Sequence, residues 1–88
     1  MYVHIGNGAM VKDSEIIGVF DIERATVSQD TREYLRTAAA RKRDVSCTEE
    51  IPRSFVVTFD REILDERVYV SRVSPRTIAG RVKGKLEL

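Results

Sequence analysis

Alternating apolar and polar residues at the start of the chain predict a β-hairpin. Tyr2–Ile5 has the pattern of a short strand, and Ala9–Val11 has the pattern of a second. Between them lies Gly6-Asn7-Gly8, whose residues tolerate positive φ and therefore favour a tight turn. The two strands are expected to pair antiparallel.

A longer strand is predicted from Glu15 to Ile22, and both of its faces carry large apolar side chains. Simple alternation places Ile16 and Phe20 on one face and Ile17 and Val19 on the other. A strand in a small sheet normally has one face in water. The second apolar face must therefore meet the helix, a second sheet layer or another subunit, and Ile17 and Val19 are the predicted subunit contacts.

The segment from Thr26 to Arg43 is predicted to form the one long helix. Thr26 has capping-box spacing to Gln29, and Ser28 is a competing cap. Helical spacing places five residues on one apolar stripe, namely Val27, Thr31, Tyr34, Leu35 and Ala38.

The second half of the chain predicts two further strands and a short helix. The strands are Ser54–Phe59 and about Arg67–Val73, with a turn region between them, and Asp44–Cys47 is expected to be a short extended piece. Ser74-Pro75 has the pattern of a cap and first helical residue. The final helix should bury Ile78, Ala79 and Val82 and end at Gly84.

These elements predict an α+β fold. It consists of a small antiparallel β-sheet or partial barrel of about five strands, one long central helix and a short C-terminal helix. With 88 residues the chain is expected to be a single domain, 1–88. A domain this small buries only about 60% of the surface of its unfolded chain. Assembly into a homo-oligomer is therefore the expected additional stabiliser.

The lone cysteine and the lone histidine limit the chemistry. Cys47 cannot form a disulfide within the chain and suits a reducing cytoplasm, either as a small buried hydrophobe or as a reactive thiol. His4 is either a structural or interface residue or a pH-sensitive subunit contact. One His and one Cys cannot make a zinc site. No nucleophile lies beside a base, so the sequence predicts neither an enzyme, a metal site, a cofactor nor a small-molecule substrate.

Charge and hydropathy restrict the partners. The net charge of +1 is low for a nucleic-acid-binding protein. No apolar run approaches a membrane helix, and no signal peptide is visible, so a cytoplasmic protein without membrane contact is expected. The basic residues are nevertheless clustered at 41–43 and across 72–85. An oligomer could join such clusters into a basic band.

Five basic residues are candidates for phosphate contact. Arg41, Lys42 and Arg43 would equally serve to complement the negative end of the helix dipole. Arg53 follows Pro52 in a loop at a strand entrance, where it is either a solvated cation or a phosphate ligand. Arg76, in the first turn of the last helix, is poorly placed for the dipole, which favours an anionic partner.

Four ordered blocks of sequence resemble the RemA/RemB family of bacterial extracellular-matrix regulators, and its RemB branch in particular. They are Tyr2-Val3-His4-Ile5-Gly6, Glu15-Ile16-Ile17-Gly18-Val19-Phe20-Asp21, Pro52-Arg53-Ser54-Phe55-Val56-Val57-Thr58 and Ser74-Pro75-Arg76-Thr77-Ile78. Glu33-Tyr34-Leu35 in the helix is also similar.

The resemblance implies a role in extracellular-matrix and biofilm gene expression. It also implies double-stranded DNA binding by a ring-shaped homo-oligomer. The RemA branch carries an Arg-Arg pair before its core strand, whereas here those positions fall near Glu50 and Ile51, and only Arg53 nearby is basic. An early loop arginine of that branch aligns with Glu15. We therefore expect Arg53 to be the main DNA contact, and the alternative is an oligomeric scaffold that binds a protein partner without DNA.

Overall fold

The computed structural model describes residues 1–82. The predicted helix end at Gly84 lies outside the described residues. Residues 1–82 form six strands and three helices in succession, with a short 3-10 turn at Asp13–Glu15 before the third strand. In chain order they are β1 Tyr2–Gly6, β2 Ala9–Lys12, β3 Ile16–Asp21, α1 Ile22–Ala25, α2 Gln29–Ala40, β4 Asp44–Ser46, β5 Ser54–Asp60, β6 Asp65–Ser71 and α3 Pro75–Arg81.

The strands form two separate sheets, which corrects the expectation of one antiparallel sheet or partial barrel. The hairpin β1-β2 is confirmed but forms its own sheet, and the other sheet has the order β3-β5-β6-β4. No closed barrel forms among residues 1–82. The hairpin packs face-on, through Val3, Ile5 and Val11, so it is a covering layer and not an added strand.

The strand β4 pairs parallel to β6, although an antiparallel sheet was predicted. The cause is the segment 47–53, which we call the strap. It crosses the end of β6 to reach β5 on the far side, and a backbone hydrogen bond holds each of its ends. The Cys47 N–H donates to the Val70 carbonyl at 2.7 Å, and the Arg53 N–H donates to the Ser71 carbonyl at 2.8 Å.

A β-bulge in β3 reverses the predicted alternation. The pairing with β5 shifts between Ile16 and Gly18, which leaves Ile17 as the extra residue. As a result Val19 is buried, with 7% of its surface exposed, while Ile17 is 54% exposed on the other side of the sheet. The prediction that Ile17 and Val19 share a face is therefore wrong.

Each face of the four-stranded sheet has its own apolar cluster. The hairpin and α3 cover the first face, whose buried residues are Val3, Ile5, Val11, Val19, Cys47, Val56, Ile78 and Val82. The helices α1 and α2 cover the second face, where Ala38, Phe55, Val57 and Val68 are buried. The second apolar face of the sheet is thus met by the helices, but only in part, because Phe20 remains 41% exposed there.

The predicted long helix from Thr26 to Arg43 is shorter in the structure, where α2 spans Gln29–Ala40 and a separate short helix, α1, precedes it. Asp21 caps α1 by accepting hydrogen bonds from the Glu23 and Arg24 N–H groups at 2.9 and 3.2 Å. The Thr26 hydroxyl donates to the Ile22 carbonyl and closes α1. Ser28 caps α2 instead.

The basic run 41–43 ends α2, as predicted. Arg41 is the C-cap and Lys42 adopts a left-handed conformation with φ +57°. The Arg43 N–H donates to the Ala38 carbonyl at 2.8 Å and the Lys42 N–H to the Ala39 carbonyl at 3.1 Å. These are the two hydrogen bonds of a Schellman motif, with lysine in the position that glycine usually occupies.

The short final helix is confirmed. The Ser74 hydroxyl accepts a hydrogen bond from the Thr77 N–H at 3.2 Å, and Pro75 is in the first turn. Ile78 and Val82 are buried against the hairpin side of the sheet.

Candidate nucleic-acid interface and apolar groove

Arg53 lies on a fixed stretch of backbone with its side chain exposed. Its N–H donates to the Ser71 carbonyl at 2.8 Å, and its own carbonyl accepts from the Ile22 N–H at 3.0 Å. The backbone of Arg53 is therefore tied to β6 and α1, while the guanidinium faces solvent. A rigid backbone under an exposed arginine suits electrostatic contact with a phosphate, because only the side chain has to be ordered on binding.

Two further arginines lie at the same end of the sheet. A cleft of about 260 Å³ is lined by both Arg53 and Pro75, which places exposed Arg76 nearby. Ser54 pairs with Ser71 across the antiparallel strands β5 and β6. Arg53, which precedes Ser54, and Arg72, which follows Ser71, therefore lie at the same end of this strand pair. The sequence arguments did not select Arg72, although the register of the two predicted strands could have found it.

Arg72 is paired with the strap. Its Nη1 lies 2.8 Å from Glu50 Oε2, and both side chains are largely exposed. An exposed pair of this kind contributes only about 0–1 kcal/mol to stability. Its larger effect is on the local electrostatic potential, because the negative charge of Glu50 neutralises that of one cation at this end of the sheet.

The other three predicted cations lie at the opposite end of the sheet. Arg41 and Arg43 approach the same Asp65 oxygen, at 3.5 and 3.4 Å. A backbone hydrogen bond from Glu66 and the two arginines lower the pKa of Asp65, against a smaller opposing effect of desolvation. Asp65 is at the start of β6 and Ser71 at its end, about 20 Å apart along the strand. Arg53 and Arg76 therefore do not share a patch with residues 41–43 within one subunit.

An apolar groove of about 330 Å³ opens on the α2 side of the sheet. The rings of Phe20 and Phe55 stack in it, with centroids 5.0 Å apart. Tyr34 borders the groove and donates a hydrogen bond to Glu66. Burial, followed by this hydrogen bond, raises the pKa of Tyr34.

The three predicted subunit-contact residues are not together. Ile17 lines the apolar groove. Val19 lies in the first cluster, covered by its own chain, so it offers little surface to a second copy. His4 points outward on the hairpin opposite Met10, and its carbonyl accepts from Arg81 Nη1 at 2.9 Å. The structure thus leaves Ile17 and His4 accessible, on different surfaces.

Neither the cysteine nor the acidic residues assemble a reactive site in the described part of the chain. Cys47 is buried, and burial raises the pKa of its thiol, as expected of a small buried hydrophobe. Within residues 1–82, no three His, Cys, Asp or Glu side chains cluster in a way that could hold a metal ion. None of the helices in that range is long and apolar enough to cross a membrane.

Two comparisons with known proteins agree with each other. The sequence model of the family described as "RemA-like: Extracellular matrix regulatory protein A-like" matches residues 2–82. The chain is also 28% identical over 88 residues to Extracellular matrix regulatory protein B of Bacillus subtilis (strain 168), with 100% of this chain and 98% of that protein covered.

Proposed function

Because the chain belongs to the RemA-like family of extracellular matrix regulatory proteins, in its RemB branch, we propose that it regulates extracellular-matrix and biofilm genes by binding double-stranded DNA as a ring-shaped homo-oligomer. A regulatory role follows from the family, whose description is not that of an enzyme. The observation that carries the DNA-binding part is the grouping of Arg53, Arg72 and Arg76 at one end of the sheet.

The proposed contact is with DNA phosphates. An arginine guanidinium presents several donors in a planar fork that matches phosphate oxygens. One subunit supplies only a few such contacts, in keeping with its net charge of +1. A ring repeats the arginines around one face, so a bound duplex meets many of them. The role of these residues is to position the protein on the DNA, not to read bases.

Residues 41–43 make a weaker contribution in this proposal. Arg41 and Arg43 already have Asp65 as a partner, at the opposite end of β6 from Ser71, whose carbonyl accepts from the Arg53 N–H. They would form a second basic band on the ring and would contact only a duplex that wraps around it.

The test measures the mass of the full chain by light scattering, with and without duplex DNA. A salt titration of duplex binding follows. We expect an oligomer that binds duplex, with an affinity that falls steeply with salt because cations are released from the phosphates. A mass that duplex DNA leaves unchanged at low salt would exclude DNA binding.

One observation favours a second candidate function, an oligomeric scaffold that binds a protein partner and no DNA. The strap carries Glu49 and Glu50, and Glu50 forms an ion pair with Arg72. These acidic residues weaken the positive potential at the end of the sheet that should meet DNA. An oligomer that does not bind duplex DNA at low salt would support the scaffold function.

A further inference from the structure

Ile51 has the most exposed large apolar side chain among residues 1–82, with 87% of its surface in solvent. Single exposed apolar residues are common on protein surfaces. Val27 and Leu64 are further examples in this chain, at 79% and 76%. Leu64 belongs to the turn between β5 and β6, at the end of the sheet away from Arg53. Exposure alone therefore assigns no role, but the position of Ile51 does.

Ile51 lies among the arginines of the proposed DNA surface. Arg53 follows it two residues later, and Glu50, immediately before it, is ion-paired with Arg72. Ile51 also lines the cleft that contains Arg53 and Pro75. A duplex held by the arginines at this end of the sheet would therefore meet the Ile51 side chain as well.

The backbone and the side chain of Ile51 have little conformational freedom. Pro52 restricts the residue before it to extended conformations. The branched Cβ of isoleucine restricts its first side-chain torsion. The strap is held next to Ile51 by the Arg53 N–H, which donates to the Ser71 carbonyl at 2.8 Å. A side chain that is already held in place loses little conformational entropy when a partner covers it.

The acidic neighbours of Ile51 limit where a phosphate can lie. Asp21 and Glu23 line the same cleft, and Glu49 and Glu50 precede Ile51 in the strap. These carboxylates disfavour a phosphate directly beside Ile51, so the phosphates would stay with the arginines. The stacked base pairs of a duplex carry no charge and have apolar faces. They are therefore the part of DNA that an exposed isoleucine at this position fits.

We infer that Ile51 inserts between neighbouring base pairs of the bound duplex and unstacks them. This inference rests on the proposed function, to which it adds a deformation of the DNA. Apolar side chains act as wedges of this kind in minor-groove-binding proteins, and the resulting kink lets the duplex wrap more protein surface. Pyrimidine–purine steps such as TA unstack most easily, so they are the expected insertion sites.

The experiment measures base stacking directly. Two duplexes differ only in one central step, TA in one and AA in the other, and each carries the fluorescent adenine analogue 2-aminopurine at that step. The fluorescence of 2-aminopurine rises when the base is unstacked. We expect the full wild-type chain, at saturating concentration, to raise the fluorescence of the TA duplex. It should also bind the TA duplex more tightly than the AA duplex.

Three variants separate insertion from electrostatic contact. Ile51→Ala should still bind duplex DNA but lose both the fluorescence rise and the preference for TA. Ile51→Lys adds a cation at the same place, so it should bind at least as tightly as wild type and also lose the rise. Leu64→Ala is the matched control, because it removes a similarly exposed aliphatic side chain at the other end of the sheet. It should behave as wild type does.

The outcomes distinguish the insertion from the proposed function. A wild-type chain that binds duplex without a fluorescence rise, or an Ile51→Ala variant that retains the rise, would overturn the insertion and leave duplex binding in place. An Ile51→Ala variant whose mass by light scattering differs from that of wild type would also overturn it, since Ile51 would then contact another protein chain. Wild type that binds neither duplex would overturn the proposed function itself.

Discussion

The ring of Phe20 stacks on that of Phe55, with centroids 5.0 Å apart and an interplanar angle of 21°. This arrangement depends on Gly18. A Cβ atom at position 18 would lie 2.7 and 2.8 Å from two carbons of the Phe20 ring. The glycine thus allows the ring to lie over β3 and shape the apolar groove.

Gly18→Ala should therefore displace Phe20 and disturb the stacking. We expect a loss of about 0.5–1.5 kcal/mol in the free energy of unfolding, the contribution typical of an aromatic pair. Gly80→Ala is the control, because a Cβ there meets open space on a helix and should stabilise by about 0.5–1 kcal/mol. Urea denaturation measures both. Equal effects at the two positions would contradict the role given to Gly18.

Arg53→Glu should abolish duplex binding and leave the oligomer intact, because only the exposed side chain changes while the backbone hydrogen bonds to Ser71 and Ile22 remain. We expect a loss of affinity of at least about tenfold, equivalent to 1.4 kcal/mol. Arg36→Glu, at an exposed position on α2, makes the same charge change. Fluorescence anisotropy with a labelled duplex gives the affinities. An Arg53→Glu variant that binds as tightly as wild type would remove Arg53 from the interface.

Glu50→Gln should raise the affinity for duplex DNA, since it releases Arg72 from its 2.8 Å ion pair. Melting temperature should hardly change, because exposed pairs contribute only about 0–1 kcal/mol. Glu49→Gln removes the same charge from a residue that forms no ion pair among those described. A larger gain for Glu50→Gln than for Glu49→Gln is expected. Unchanged affinity in both variants would favour the scaffold function.

Lys42→Gly should stabilise the protein, because Lys42 adopts a left-handed conformation at the end of α2 that costs a residue with a Cβ about 1–2 kcal/mol. A gain of about 1 kcal/mol corresponds to a rise in melting temperature of about 4–8 °C for a domain of this size. Lys42→Ala also removes the charge but keeps the Cβ, so it should bring no such gain. If both variants melt at the same temperature, the conformation is not the cause.

The hydrophobic pattern predicts most of the fold correctly. The hairpin, the Ser54–Phe59 strand and the capped helix after Ser74 depend on local signals, namely turn glycines, β-branched runs and a Ser-Pro cap. These signals act within a few residues, so the sequence alone suffices to locate them.

The incorrect predictions depend on contacts between distant segments. The bulge at Ile17 is set by the pairing of β3 with β5, which alternation within one strand cannot reveal. The parallel pairing of β4 follows from the strap. Thr26 has capping-box spacing, but it ends α1, where its hydroxyl donates to the Ile22 carbonyl, and Ser28 caps α2. The candidate DNA site also differs from the predicted one because of a contact between distant segments. The register of β5 and β6 places Arg72 at the same end of the sheet as Arg53, whereas residues 41–43 lie toward the other end.

The exposed side chains of the strap are independent of the contacts that hold it on the sheet. Its two ends are held by main-chain hydrogen bonds at Cys47 and Arg53, which do not depend on the side chains in between. Glu49, Glu50 and Ile51 are exposed. Basic residues in place of Glu49, Glu50 or Ile51 would therefore leave the backbone contacts of the strap with the sheet unchanged. Substitutions in the strap alone can therefore change the affinity of the protein for a polyanion with almost no change in its stability.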